Sequence, residues 1–329
     1  MYNNKRALIC GIGGQDGTYL AKLLLDKGYE VIGTSRDASI SQFSNLSKID
    51  IQNHVKKVSM SISDLGSVQA TIKNVEPDEI YNLAGQSSVS LSFQQPVETM
   101  ISIAMGTLNL LEAIRFIGRP IRFYNAGTSE GFGDTGEIPA TEETPFHPRS
   151  PYAVAKVSAH HLVANYREAY GQFACTGILF NHESPLRPDR FVTQKIVRAA
   201  VRIANGSDEK LQLGNLDIYR DWGWAPEYVE AMWLMLQQDK PEDFVIATGE
   251  TVSLQSFVEM VFTYFGLNWE EYVVTDPSLL RPSDIRVGLA NPEKAKKLLN
   301  WKAETHVKGV VHKMCDAAWA NYKQNHLRY

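Results

Sequence analysis

The most constraining stretch lies near the start of the chain. Ala7 to Ile12 reads ALICGI, a short apolar run that ends in glycine. Gly11-Ile-Gly-Gly14-Gln-Asp-Gly17 follows, and TYLAKLLLDKG then shows helical apolar spacing up to a stop at Gly28. A buried strand, a glycine-rich turn and a helix in immediate succession leave few folds open. The glycines permit a tight turn and let backbone approach a ligand closely. The helix start offers free N–H groups and a positive dipole end to phosphates. A purely structural turn is the alternative, and the flanking strand and helix favour a bound dinucleotide.

The alternation continues downstream. Strands are predicted over Tyr29 to Ser35, His54 to Ser63, Asp78 to Ala84, Ile121 to Tyr124 and Phe173 to Phe180. Helices are predicted over 97–117, with Ile103, Leu110, Leu111 and Ile114 as core, and over 151–170. This order predicts an α/β fold, a doubly wound parallel Rossmann sheet. Past residue 180 the alternation weakens. Residues 181–188 and 217–224 read as loops, and 211–214 as a short strand. Helices are expected over 191–205, from Pro226 to about 238, and over 253–266, 292–299 and 307–322. The expectation is a dinucleotide-binding unit over 1–180 and a smaller, mostly helical substrate lobe over 181–329. A strand near 244–248 is free to return to the first unit.

Charge and cysteine content narrow the function. The formal net charge is −4 with no Lys/Arg block, which argues against nucleic acid or a membrane surface as partner. Cys10, Cys175 and Cys315 are too few and too scattered for a disulfide framework or metal cluster, so a reducing compartment is expected. The N-terminus MYNNKRALIC carries no signal-peptide pattern, and no apolar stretch is expected to reach the roughly 20 residues that span a bilayer. A cytoplasmic protein is the resulting expectation.

The residues able to do chemistry concentrate between Arg119 and Lys156. The fifth strand ends in a small-residue turn carrying Thr128, Ser129 and Glu130, and Pro151 then opens a helix bearing Tyr152 and Lys156. Tyr152 and Lys156 are four apart and share one helix face. A cationic amine beside a phenol lowers its pKa, and a phenolate can take a proton from a hydroxyl while hydride leaves for a nicotinamide. Glu130 adds a base that a plain dehydrogenase does not need. It suits removal of a carbon-bound proton next to a ketone, and its alternative is a salt bridge at the sheet edge. The second strand ends in Thr34-Ser35-Arg36-Asp37 rather than in a single acid, which favours a 2′-phosphate and hence NADP over NAD. Asp37 pairing with Arg36 is the competing reading. Asp64 fits either the adenine end of the site or a helix N-cap. His160 and His161 are adjacent, with no acidic or Cys partner at metal spacing, so no metal is expected.

At these residues a resemblance becomes specific. GIGGQDG, YNLAGQSSV, TSE, TPFHPRSPYAVAK, GILFNHESP, FVTQK, LGNLDIYRDWG, YVEAMWLMLQ, EDFVIATG, RPSDI and KAKKLLNWK run over nearly the whole chain. The chain resembles the GDP-mannose 4,6-dehydratases of the extended short-chain dehydrogenase/reductase superfamily. That resemblance implies conversion of GDP-D-mannose to GDP-4-dehydro-6-deoxy-D-mannose with NADP retained. Tyr152 would be the base for oxidation at C4, assisted by Lys156 and Thr128, and Glu130 would take the C5 proton. The implied cofactor contacts are Gly11, Gly14, Gln15, Asp16, Arg36, Asp64, Leu65, Leu83, Ala84, Gln86, Ser87, Lys156, His182 and Arg187. The implied substrate contacts are Ser129, Asn181, Val192, Lys195, Arg220 and Arg281, the two arginines suiting the diphosphate. Homodimers or homotetramers are implied, with the Arg36 to Asn45 loop as a contact.

The chain also departs from the family pattern. Gly13 and Asp37 replace a threonine and a basic residue, which weakens the case for NADP. Gly127 and Gly131 flank the catalytic segment, and the expectation is a widened pocket beside the sugar. Another GDP-sugar as substrate, or a GDP-sugar reductase or epimerase of the same fold, therefore stands as the alternative. A non-enzymatic dinucleotide sensor is disfavoured by the complete Thr/Glu/Tyr/Lys set.

Overall fold

The computed structural model describes residues 5–326. Its first half runs β1 (Arg6–Cys10), α1 (Gln15–Asp26), β2 (Glu30–Ser35), α2 (Ser44–Lys48), β3 (Lys56–Ser59), α3 (Leu65–Val75), β4 (Glu79–Asn82), α4 (Val89–Gln94), α5 (Pro96–Met100), α6 (Gly106–Ile117), β5 (Arg122–Ala126), α7 (Pro151–Tyr170) and β6 (Ala174–Leu179). The second half runs β7 (Asn181–Glu183), α8 (Val192–Ala204), β8 (Leu211–Leu213), β9 (Tyr219–Trp224), α9 (Ala225–Met235), β10 (Phe244–Ile246), β11 (Thr251–Ser253), α10 (Leu254–Tyr264), β12 (Val273–Thr275), α11 (Glu293–Leu299) and α12 (Val307–His326).

Among the described residues, seven strands form one sheet in the order β10-β6-β5-β4-β1-β2-β3, and the pairings are parallel. Both faces are covered. One face packs Ile9, Leu20, Leu24, Val229 and Met232. The other packs Leu8, Val68, Ile80, Leu110, Ile114 and Val163. A strand buried on both faces favours apolar residues at every position, which is why Ala7–Cys10 of β1 reads as a continuous apolar run; β4 is buried as fully but carries Glu79 and Asn82, which are hydrogen-bonded to Tyr29 and Thr107. Strand order reverses between β1 and β4, so a crevice opens beyond their carboxyl ends. The lobe above that crevice has its own core of α8, α10 and α12 side chains with Trp222.

Several sequence expectations change. Within residues 217–224, read as a loop, Tyr219–Trp224 form a strand, β9, at the centre of a small sheet ordered β11-β9-β7. Arg220 and Asp221 disguise it, because these charged residues are buried and satisfied by backbone. Asp221 accepts from the N–H groups of Thr248 and Gly249. Asn181–Glu183, also read as loop, is β7 of the same sheet. The third strand shrinks to Lys56–Ser59. The helix over 97–117 is not uniform: Ile101–Met105 winds as a π-helix between α5 and α6. Pro96–Ile117 is also apolar and long enough by composition to cross a membrane, contrary to expectation. Ser102, Thr107 and Asn109 interrupt that run without bringing its average down far. Here α6 packs against α3 and α7.

The glycine-rich turn is sterically closed. Gly11 adopts φ +87°, and a Cβ there would lie 2.7 Å from the Leu83 carbonyl oxygen. A Cβ on Gly17 would meet the Gly11 carbonyl oxygen and lie 2.8 Å from Ile12 Cα. Backbone cannot yield as a flexible side chain can. Gly17→Ala is therefore expected to destabilise the protein by about 2–4 kcal/mol in urea denaturation. An unchanged midpoint and slope would show that the turn has slack.

Candidate active site

A cleft of about 380 Å³ opens at the crevice beyond β4 and β5, between the sheet and β7, α8 and the 279–284 segment. Two local devices place its reactive groups. Thr128 caps the 3₁₀ turn Ser129–Phe132, accepting from the Glu130 N–H at 3.3 Å, and so turns Glu130 toward the cleft. Ser150 caps α7 by accepting from the Ala153 N–H, and Pro151 follows at the first helical position. Tyr152 and Lys156 then project from successive turns. Lys156 Nζ donates to the Ala126 carbonyl at 2.7 Å, which ties α7 to the end of β5. Thr128, Ser129, Glu130, Tyr152 and Lys156 thus share one wall of the cleft.

The electrostatics differ from expectation at Tyr152. Burial pushes its phenol up to about 12; a Thr128 hydrogen bond works the other way and the Glu130 charge adds to the rise. Burial likewise pulls Lys156 down to about 8, against the Asp16 charge. The expected lowering of the phenol by the amine is thus absent, because desolvation disfavours both charged forms. In this pocket the neighbours that favour the phenolate are Thr128 and, after it, the charge of Arg187.

An ion pair between buried His182 and half-buried Asp16 forms the floor. His182 Nε2 lies 2.9 Å from Asp16 Oδ2, and His182 Nδ1 lies 2.7 Å from the Phe180 carbonyl oxygen. Both partners only accept, so both ring nitrogens carry protons and the ring is an imidazolium. Burial alone would raise the Asp16 carboxyl, yet His182 and the Gln15 amide hold it at about 2. Burial alone would lower His182, and Asp16 raises it above the ordinary imidazole value. Gln15 also donates to the His182 carbonyl and accepts from Ser184 Oγ. The start of α1 and the β7 segment are therefore one bonded unit.

The turn fits a dinucleotide. No side chain caps α1: its N-cap is Gly14, so its first N–H groups face outward without a competing acceptor, and a Cβ on Gly11 has no room. Of the predicted residues, Asp16, Leu83, Ala84, Gln86, Ser87, Asn181, His182, Arg187, Val192, Lys195 and Arg281 line the cleft together with Thr128, Ser129, Glu130, Tyr152 and Lys156. Gly11, Gly14 and Gln15 form the turn beside it. Arg36 is exposed at the end of β2, and Asp37 accepts from the N–H and Oγ of Ser39 rather than pairing with it. Asp64 caps α3 by accepting from the Ser67 N–H, and Leu65 follows, partly exposed. Arg220 does not line the cleft. It is buried beneath it, donating to the carbonyls of Tyr219 and Ile285 and lying 3.5 Å from Asp284. Arg281 flanks the same carboxylate from the cleft side. Sequence reasoning missed Glu183, Arg190 and Asp284, which also line the cleft. Asp284 was within reach, as the acid of the RPSDI segment.

The two departing glycines do not widen the cleft. A Cβ on Gly127 would lie 2.7 Å from Thr176 Cγ2 on β6, and one on Gly131 would lie 2.9 Å from Val157 Cγ2 and 3.1 Å from Phe146. Both positions face packed side chains behind the catalytic turn.

Comparison with known proteins agrees with this arrangement. The family model described as GDP-mannose 4,6 dehydratase matches residues 8–314. The chain belongs to the GDP-mannose 4,6 dehydratase family. GDP-mannose 4,6 dehydratase 2 of Arabidopsis thaliana is 49% identical over 322 residues, covering 95% of this chain and 86% of that protein. The GDP-mannose 4,6-dehydratase of Sinorhizobium fredii is 45% identical, covering 95% and 96%. Among solved structures, a dTDP-glucose 4,6-dehydratase from Bacillus anthracis in complex with NAD has a TM-score of 0.83 at 22% identity, covering 99% of this chain and 98% of that one. A UDP-glucose 4-epimerase from Thermotoga maritima with UDP-glucose has a TM-score of 0.85 at 22% identity, covering 97% and 99%. At such identity these two structures share the fold.

The Asp16–His182 pair gives stability a pH window. A depressed carboxyl stabilises above its unfolded value of 3.8, and this contribution is lost as pH falls toward about 2. A raised imidazole stabilises fully below 6.5, and this contribution is lost as pH climbs through the raised value. Asp16→Asn should therefore cost about 2 kcal/mol at pH 5 and clearly less at pH 9, read by urea denaturation. An equal cost at both pH values would contradict the charged pair.

Proposed function

We propose that this protein is a carbon–oxygen lyase that dehydrates GDP-D-mannose to GDP-4-dehydro-6-deoxy-D-mannose, with NADP retained through the cycle. The observation that carries this reading is Glu130 on the same cleft wall as Thr128, Tyr152 and Lys156. A reductase or epimerase has no use for a second base at that place. Family membership supports the substrate, and at Gly127 and Gly131 the absent side chains would point into packed side chains rather than toward the sugar, which weakens the case for another sugar.

A nicotinamide dinucleotide, when bound, supplies the hydride acceptor and donor. The chain's own residues move protons. Tyr152 takes the proton of the C4 hydroxyl, with the Thr128 hydrogen bond favouring its phenolate. The C4 ketone acidifies the C5 hydrogen, and Glu130 removes it. Water leaves from C6, and Glu130 and Tyr152 are the acids placed to protonate its oxygen. Lys195 and Arg281 face the diphosphate, while Arg220 supports that wall from beneath through Asp284. Exposed Arg36, left to solvent by Asp37, suits the 2′-phosphate of NADP.

In this reading residues 1–180 serve the dinucleotide and 181–329 the nucleotide sugar, with β10 added to the first unit's sheet. Homo-oligomeric assembly and a cytoplasmic location complete it. The three buried, unpaired cysteines suit a reducing compartment.

Incubation with GDP-mannose and catalytic NADP, followed by mass spectrometry, should give a product lighter by one water. A product that forms only with stoichiometric NADPH would overturn the dehydratase reading. Glu130→Gln should slow water loss by about 10²–10⁴-fold while leaving the cofactor-reduction absorbance intact. Normal dehydration by this variant would remove Glu130 from the elimination step.

A further inference from the structure

His182 has a third contact besides Asp16 and the Phe180 carbonyl. The Tyr228 ring of α9 lies against its face, with ring centroids 4.6 Å apart and planes 24° from parallel. Gly223 makes room for that ring. It is the residue paired with His182 across β7 and β9, and a Cβ there would press on the tyrosine ring, 2.6 Å from Tyr228 Cζ. Trp301 stands edge-on to the same ring at 5.8 Å. Tyr228 is fully buried, and its hydroxyl has no hydrogen-bond partner. Burial, with Asp221, Glu227 and Glu183 near it, raises the phenol well above its ordinary value, so it stays protonated. Tyr228 therefore offers His182 the face of a neutral ring.

An aromatic face attracts a cation, and more strongly where water is excluded. His182 is such a cation, since both of its ring nitrogens donate. Burial and the Arg187 charge work against the imidazolium, and Asp16 works for it. Asp16 needs that charge in turn. It stands at the start of α1, whose free N–H groups suit phosphate, and an uncompensated carboxylate there would repel a phosphate.

We propose that Tyr228 is a positioning residue for the cofactor: its ring holds His182 as an imidazolium, and the imidazolium offsets the Asp16 charge where the dinucleotide's pyrophosphate meets α1. The proposal rests on the reading of the cleft as a nicotinamide dinucleotide site. Tyr228 touches neither the reacting sugar nor the nicotinamide in this scheme. It acts through His182 and Asp16, and its place over the imidazole depends on the missing side chain of Gly223.

The charge on His182 is read by NMR titration of the cofactor-free protein with isotope-labelled histidine, its signal being identified by loss in His182→Gln. The wild-type midpoint should lie above the ordinary 6.5. Tyr228→Leu should lower it by about one pH unit, whereas Tyr228→Phe, which keeps the face and drops an unpartnered hydroxyl, should leave it within about 0.3 units. NADP binding, followed by protein fluorescence, should be alike in all three proteins below these midpoints. It should weaken as pH rises through the midpoint, about one pH unit earlier in Tyr228→Leu. Weakening by the same factor at every pH marks a merely structural role and overturns the proposal. So does an unshifted midpoint in the Leu variant, or a Phe variant that behaves like it. Should Tyr228→Leu not fold, a polyfluorinated phenylalanine at position 228 keeps the shape of the ring and strips its face of negative charge. It should lower the midpoint similarly, and a wild-type midpoint there sinks the idea. If the wild-type protein binds no nicotinamide dinucleotide, the functional reading fails and the cofactor role with it, while the titration still decides whether the ring holds the charge.

Discussion

The contact of Gly11 with the Leu83 carbonyl conditions the rest of the molecule. It lies where the parallel sheet reverses its strand order, and it brings the end of β1 against the end of β4 with no space for a side chain. With that approach in place, the uncapped start of α1 faces the crevice and its N–H groups point at whatever fills it. Gly17 closes the turn from the other side. β5 and α7 are then added to a crevice whose direction is already settled, and Lys156 ties them together through the Ala126 carbonyl.

Charge is managed in this crevice by pairing and by burial, with different results. His182 is buried and Asp16 half-buried at the cleft, and both are charged, because each is the other's partner and the second ring nitrogen is occupied by the Phe180 carbonyl. Tyr152 and Lys156, half-buried in the cleft wall, have no such partner, so desolvation pushes both toward their neutral forms. Glu130 and Thr128, on the turn beside them, are held by backbone geometry rather than by ion pairs.

Much of this was legible in the chain itself. The strand–turn–helix at residues 7–28, the order of β1 to β6, and Tyr152 and Lys156 one turn apart all follow from periodicity and short motifs. What failed did so for a common reason. β9 was hidden by Arg220 and Asp221, whose charges are met largely by carbonyl and N–H groups brought in from residues 248–249 and 285–286, with Asp284 beside Arg220. The same burial takes Arg220 out of the cleft wall. Gly127 and Gly131 looked like missing bulk beside the sugar, and the missing atoms in fact face β6, Val157 and Phe146.

The sequence by itself determined the fold class, through period 2 or 3.6 and glycines at a turn, and the family, through long motifs that resemble it; a phenol and an amine four apart marked out where to look for reactive groups. Only the tertiary structure decided which way each side chain faces and what charge it carries. Asp16 meets a partner 166 residues away, and Thr128 rather than Lys156 favours the Tyr152 phenolate. Such outcomes depend on which groups share a buried space, and that is set by how the sheet and the lobe above it close on each other.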